Sequence, residues 1–181
     1  INLNHLTTKL GSSPRFDMAN SWNPRGAPAT PGKYPVDHGT MCAYDVLIAA
    51  PKATLLDYPV LATSVPGGNV TGRSISGALQ AFAHLLANYA VAFAPGGPAK
   101  YVALVVSNSW GIYHPSWDFP TGHPGRFCDN PAHPFSAIVR ALTAAGADIV
   151  FAAGNCGADC PASRCQGRSA GSIMGSSAYP E

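Results

Sequence analysis

Charge is what this sequence has least of. Nine acidic and eleven basic side chains among 181 residues make it 11% charged, against about 25% in ordinary soluble domains. The net charge of +2 is too small to draw in nucleic acid or an anionic membrane surface, so neither is expected as a partner. No apolar run approaches the roughly 20 residues that a membrane-spanning helix needs. Five cysteines are few for a disulfide scaffold, although Cys156, Cys160 and Cys165 cluster. No signal-peptide pattern is visible and the first residue is Ile1, not Met, which reads as the start of a mature or trimmed product. Few charges, abundant Gly, Ala, Pro and Ser, and clustered cysteines lean towards a secreted or extracytoplasmic protein.

What is present is apolar material and alternation. At 46% apolar the chain can bury a sizeable core, and its length fits one domain. The centre of the sequence is residues 102–155. An apolar strand, Tyr101–Val106, runs into Ser107-Asn108-Ser109-Trp110-Gly111. A helix-like segment, Pro134–Gly146, precedes a second strand, Asp148–Ala153, which runs into Gly154-Asn155. A strand–helix–strand unit of this kind places its two strands side by side and parallel, with ligands bound at their carboxyl ends.

Elsewhere, residues 1–36 are rich in Pro, Gly, Ser and Asn and read as an irregular lead-in, with Phe16, Met18 and Trp22 as possible anchors. Thr40 to Ile48 lacks breakers and reads as a buried helix that Pro51 ends; Thr54–Leu61 follows as a strand. Ser74–Phe93 is the longest helix candidate, with Ile75, Leu79, Phe82, Ala83, Leu86, Ala90 and Phe93 on one apolar face. Residues 113–133, rich in proline, aromatics and histidine, read as a long inserted surface loop. Helices alternating with strands predict an α/β fold with a mainly parallel sheet flanked by helices.

Several segments, in this order, resemble the subtilisin-like serine peptidases. His38-Gly39-Thr40-x-x-Ala43 is similar to the helix start that carries the family's catalytic histidine. Ala50-Pro51-Lys52-Ala53 is similar to the connection into the next strand, and Ser107-Asn108-Ser109-Trp110-Gly111 to the strand lining the substrate cleft. Ala152-Ala153-Gly154-Asn155 is similar to the segment whose asparagine amide completes the oxyanion hole, and Ser177-Ala178-Tyr179-Pro180 to the stretch before the strand that follows it. The likeness spans about residues 37–181 and implies an incomplete subtilisin-like α/β fold and a serine endopeptidase working by acyl transfer on polypeptide substrates. His38 is then general base and acid, and Asn155 the oxyanion donor. Ser107, Asn108, Ser109, Trp110, Gly111, Ala152, Ala153 and Gly154 are then the cleft lining. The chemistry needs a base for the serine proton and fixed donors for the oxyanion, and backbone near Ser109–Gly111 can pair with an extended substrate. The family needs no cofactor, though structural calcium is common in it.

The sequence also departs from that pattern. No strand ending in Asp-Thr/Ser-Gly precedes His38: Asp17 follows no apolar strand, and Asp37, adjacent to the histidine, is not placed to face its ring. No Gly-Thr-Ser-x-Ala segment occurs. The expectation is therefore a central segment, with Asp and Ser supplied by remaining segments of the same peptidase domain. The alternative is an inactive module of the same fold that binds peptides or acts as a scaffold. Self-association through open sheet edges is a third possibility. Ser169, Ser172 and Ser176 lie in Gly-rich sequence without a strand–turn–helix context and read as loop. Cys156, Cys160 and Cys165 could hold zinc with a histidine, but their spacing is not a standard zinc pattern, and a disulfide in that loop is favoured, with Cys128 as a further partner. Cys42 is read as a buried free thiol, which argues against a cysteine peptidase built on Cys42 and His38. His114, His123 and His133 are expected in solvent, and Trp110 and Trp117 either shape a subsite or anchor their loops.

Overall fold

A computed structural model describes residues 1–62, 71–92, 101–111, 119–126 and 130–153. The chain is mixed α/β and divides into two compact units, Ile1–His84 and Leu85–Glu181, each with a two-stranded parallel sheet of its own. Among the described residues no helix is long and apolar enough to cross a membrane.

The first unit begins with a helix where the sequence reading has irregular chain. Helix α1, Leu3–Leu10, starts because the Asn2 side chain accepts the His5 N–H, and it stops at Gly11, whose φ of +71° closes it in the left-handed conformation. Leu3, Leu6 and Leu10 fall on one face, and Leu6 is fully buried. Strand β1, Arg15–Phe16, pairs in parallel with β2, Thr54–Leu55, with Arg15 opposite Thr54 and Phe16 opposite Leu55. Between them runs α2, His38–Ala49, capped by Asp37. The predicted strand at Thr54–Leu61 is therefore only two residues long. The core gathers Leu6, Ala43, Leu47 and Leu55, with Leu3, Leu10, Phe16 and Tyr44 packed on it. Full burial of a leucine such as Leu6 contributes about 2 kcal/mol. Only one stripe of α2 is covered. Met41, Val46 and Ile48 are exposed, so the expectation of a wholly buried helix is corrected.

The segment between β1 and α2 is tied down by polar contacts. Gly32 has φ +80°, and a Cβ there would lie 2.7 Å from Leu3 Cδ1 and 3.2 Å from Phe16 Cε1. Its N–H donates to Asp57 Oδ2 at 2.8 Å and its carbonyl accepts the Leu3 N–H at 2.9 Å. Only glycine offers both that backbone conformation and that close approach.

Helix α3, Thr71–Ala92, contains the boundary between the units. Its buried positions are Ala78, Ala81, Phe82 and Leu85. That stripe is rotated from the predicted one: Ala83 is exposed, and Ile75, Leu79 and Leu86 are half-buried. Ala78, Ala81 and Leu85, absent from the predicted face, are the positions that turn inward with Phe82. The surface that a helix packs on, not its own apolar pattern, chooses between neighbouring stripes of an all-round apolar helix.

In the second unit, β3, Val105–Asn108, pairs in parallel with β4, Asp148–Phe151, with Asn108 opposite Phe151. Helix α4, Pro134–Ala144, lies between them in sequence; Pro134 is its first residue and His133 its cap, Nδ1 accepting the Phe135 N–H at 3.1 Å. Side-by-side parallel strands joined through this helix are what the sequence predicts. The strand boundaries move: β3 begins at Val105, not Tyr101, and runs through Ser107 and Asn108. Alternate residues Val106, Asn108, Ile149 and Phe151 face inward, whereas Val105, Ser107, Asp148 and Val150 are exposed. Phe135, Val139 and Leu142 of α4 are buried, and Phe135 meets Phe151 edge-on at 6.2 Å.

Candidate active site

The His38 position is built by its neighbours. Asp37 Oδ1 accepts the His38 N–H at 2.7 Å, and the Asp37 carbonyl accepts from Thr40 N–H at 2.8 Å. The carboxylate thus serves the helix start, not the imidazole, as the sequence reading expects. Thr40 is buried and its Oγ1 accepts the Asn2 N–H at 3.1 Å, fixing the first turn of α2 to the start of α1. His38 itself is exposed. A Cβ on Gly39 would meet no atom within 4 Å, so open space adjoins the start of the helix.

Cys42 is not buried as predicted. It is a free, half-exposed thiol one turn below His38, with Sγ 3.7 Å from Nδ1 and 3.9 Å from Nε2. Its apolar neighbours in sequence divide between the covered stripe (Ala43) and the uncovered face (Met41), a division that apolar composition alone does not reveal.

A carboxylate that sequence reasoning set aside occupies the end of a strand. Asp17 follows β1 directly, is 7% exposed, and extends the ladder by donating its N–H to the Leu55 carbonyl at 3.0 Å. The preceding strand is two residues long and has no periodicity to read. What could have found it is the pairing of Arg15-Phe16 with the strand after Pro51. Asp17 Oδ1 accepts the Asn20 N–H at 3.1 Å, and Oδ2 accepts from Asn20 Nδ2 at 2.7 Å. A second buried carboxylate, Asp57, lies just past β2. Its Oδ2 accepts from the Gly32 N–H at 2.8 Å and from the Ile1 nitrogen at 3.0 Å, so it ties together distant parts of the first unit. Burial, and then the Asp57 charge, push the Tyr34 hydroxyl above its ordinary value, partly offset by its bond to Asn23.

Near Asp17 an aromatic group closes over the turn. Tyr58 donates to the Asn20 carbonyl at 2.8 Å and lies 3.0 Å from His84 Nδ1. It stacks on Trp22 at 6.4 Å. Trp22 and Phe16 thus anchor the lead-in as expected; Met18 is exposed. Burial lowers the His84 pKa from the usual histidine value.

In the second unit, Asn108 is 4% exposed and its amide is spent on the protein. Nδ2 donates to the Val106 and Val150 carbonyls at 3.3 and 3.2 Å, and Oδ1 accepts from Trp110 Nε1 at 3.1 Å. Trp110 packs edge-on against Phe135 and Phe151 at 6.0 and 6.4 Å, so it anchors its loop. Ser107 is exposed, Ser109 and Gly111 are half-exposed, and Ala152 and Ala153 are exposed beyond β4. The Ala152 N–H continues the ladder to the Asn108 carbonyl at 2.9 Å. His133 is a helix cap rather than a free surface group, whereas His123 is exposed, stacked on Phe119 at 4.1 Å.

His38, Cys42 and Asp17 belong to the first unit, and Ser107 to Gly111, Ala152 and Ala153 to the second. Gly154, Asn155, Ser169, Ser172, Ser176, Cys128, Cys156, Cys160, Cys165, His114 and Trp117 lie outside the described residues. Among the described residues no three His, Cys, Asp or Glu side chains group as a metal site. Compared with family models, with curated proteins and with solved structures, the chain matches none.

Proposed function

We propose that this chain carries part of a subtilisin-like serine endopeptidase site that cleaves polypeptides by acyl transfer. The observation that carries the reading is Asp17. A buried carboxylate ends a parallel strand, the next helix begins with an exposed histidine, and the strand after that helix pairs with the first. Carboxylate and histidine thus follow one another in the chain order of the family that the sequence resembles, Asp before His. In this reading Asp17 orients His38, which takes the proton from a serine that no Gly-Thr-Ser segment supplies here, and Asn155 holds the oxyanion. The backbone at Ser109–Gly111 binds the substrate as an added strand; the Asn108 side chain does not take part, being committed to the sheet.

The test is labelling of the full-length gene product by a fluorophosphonate probe, with the adduct located by peptide mass mapping. The expected result is one modified serine outside Ser169, Ser172 and Ser176, with labelling slowed by about 10³-fold or more in His38→Ala. An adduct on one of those three serines would overturn the alignment. A second reading, a non-catalytic peptide-binding module, is favoured by one detail: both Asp17 oxygens already accept from Asn20. Absence of labelling with peptide binding retained would decide for it.

A further inference from the structure

We propose that Cys42 and His38 form a two-donor site for a thiophilic divalent cation, zinc above all, on the first turn of α2. The residues stand four apart on one helix face, where side chains meet. Sγ lies 3.7 Å from Nδ1 and 3.9 Å from Nε2. Zinc bonds of about 2.3 Å to sulfur and about 2.0–2.1 Å to imidazole nitrogen, at a tetrahedral angle, span donors about 3.6 Å apart. The existing separations lie within about 0.1–0.3 Å of that span, and seating the ion requires the exposed imidazole to turn so that one nitrogen faces it. The thiolate selects zinc over magnesium or calcium.

Both groups are accessible: His38 is exposed and the Cys42 thiol half-exposed and free. Asp37, the nearest carboxylate in sequence, is engaged by the His38 N–H and is not needed as a ligand, so water completes the coordination. Binding displaces the thiol proton to solvent and occupies an imidazole lone pair. On the proposed function the serine proton goes to Nε2 and Nδ1–H faces Asp17, so a cation on Nε2 takes the accepting lone pair and one on Nδ1 displaces the proton that orients the ring. The cation is then a reversible inhibitor seated on the base itself. The binding does not depend on that reading; the inhibition does.

The experiment is zinc and cadmium titration of the reduced 181-residue chain, read by calorimetry and by thiolate-to-cadmium absorption. Wild type is compared with Cys42→Ser and His38→Gln, which isolates this site from Cys128, Cys156, Cys160 and Cys165. Both variants are expected to lose the same binding event, with affinity at that site down at least about tenfold. Isotherms unchanged in both variants would overturn the proposal, as would loss in Cys42→Ser with none in His38→Gln. A second readout needs no folded cysteine variant. Zinc should slow alkylation of Cys42 by iodoacetamide in wild type, located by mass mapping, and should fail to do so in His38→Gln; equal protection in both would refute the pair. In the full-length gene product, zinc should slow fluorophosphonate labelling in wild type and leave Cys42→Ser unaffected. No labelling even without zinc would sink the peptidase reading alone, while the titrations judge the metal site.

Discussion

Replacing Asn108 by alanine separates a structural from a substrate-binding role for this side chain. The amide makes a cross-strand bond to Val150, a local bond to Val106 and an acceptor bond to the Trp110 indole. At roughly 1 kcal/mol net each for the cross-strand bond to Val150 and for the indole bond, plus about 1 kcal/mol for the indole N–H left without its partner, the loss is about 3 kcal/mol. That corresponds to a fall in Tm of roughly 6–12 °C for a chain of this size. Urea unfolding followed by tryptophan fluorescence and near-ultraviolet circular dichroism should show a lower midpoint at an unchanged slope. Asn108→Asp should be worse at neutral pH, because a buried carboxylate would face two carbonyl oxygens. Burial and those oxygens raise the new carboxyl's folded pKa above its unfolded value of about 3.9. Its cost is therefore complete above the folded pKa and fades as pH falls through it, when the protonated acid can donate to one carbonyl. A change below about 1 kcal/mol in Asn108→Ala, with peptide binding weakened instead, would refute the structural role.

Three other outcomes follow from the first unit. Gly32→Ala should destabilise it by about 2 kcal/mol, from the strained backbone and the approach of Leu3, measured by urea midpoint. His84 has a lowered folded pKa, so stability is held above the unfolded value of about 6.5 and lost as pH falls below it; His84→Gln should flatten that part of the pH profile, and a proton NMR titration of His84 at or above the usual value would contradict it. Asp17→Asn in the full-length gene product should slow fluorophosphonate labelling by about 10³–10⁴-fold while leaving the fold intact by circular dichroism; unchanged labelling would remove Asp17 from the site.

The strand–helix–strand part of the second unit is legible because its signals are local and redundant. Pro134 opens α4, Gly146 closes it, and Asp148–Phe151 is an unbroken apolar run after the first residue. The start of β3 was misplaced because Tyr101–Leu104 is as apolar as the strand itself; what sets the strand is pairing with β4, which periodicity does not contain. In the first unit α1 escaped notice because Asn4, His5, Thr7 and Thr8 dilute its apolar face, although Asn2 and Gly11 bracket it as cap and stop. Strand β1 was invisible because two residues make no pattern, and with it went Asp17. The depth of Cys42 was misjudged for a different reason: an apolar helix has an inside only when something covers each of its faces.

Both sheets consist of parallel strands, and this constrains how the protein folds as well as what it looks like. No tight turn can bring Arg15 to Thr54 or Val105 to Asp148. Each pairing must close a long loop before its first ladder hydrogen bond forms. The helices α2 and α4 shorten those loops only once they have formed and docked. Substitutions at Leu47 or Leu142, on the faces that dock, should therefore slow folding. Changes at the strand ends, such as Asn108 or Asp17, should mainly hasten unfolding. The residues closest to the candidate chemistry would then govern how long each native unit lasts, and the helices behind them how quickly it is reached.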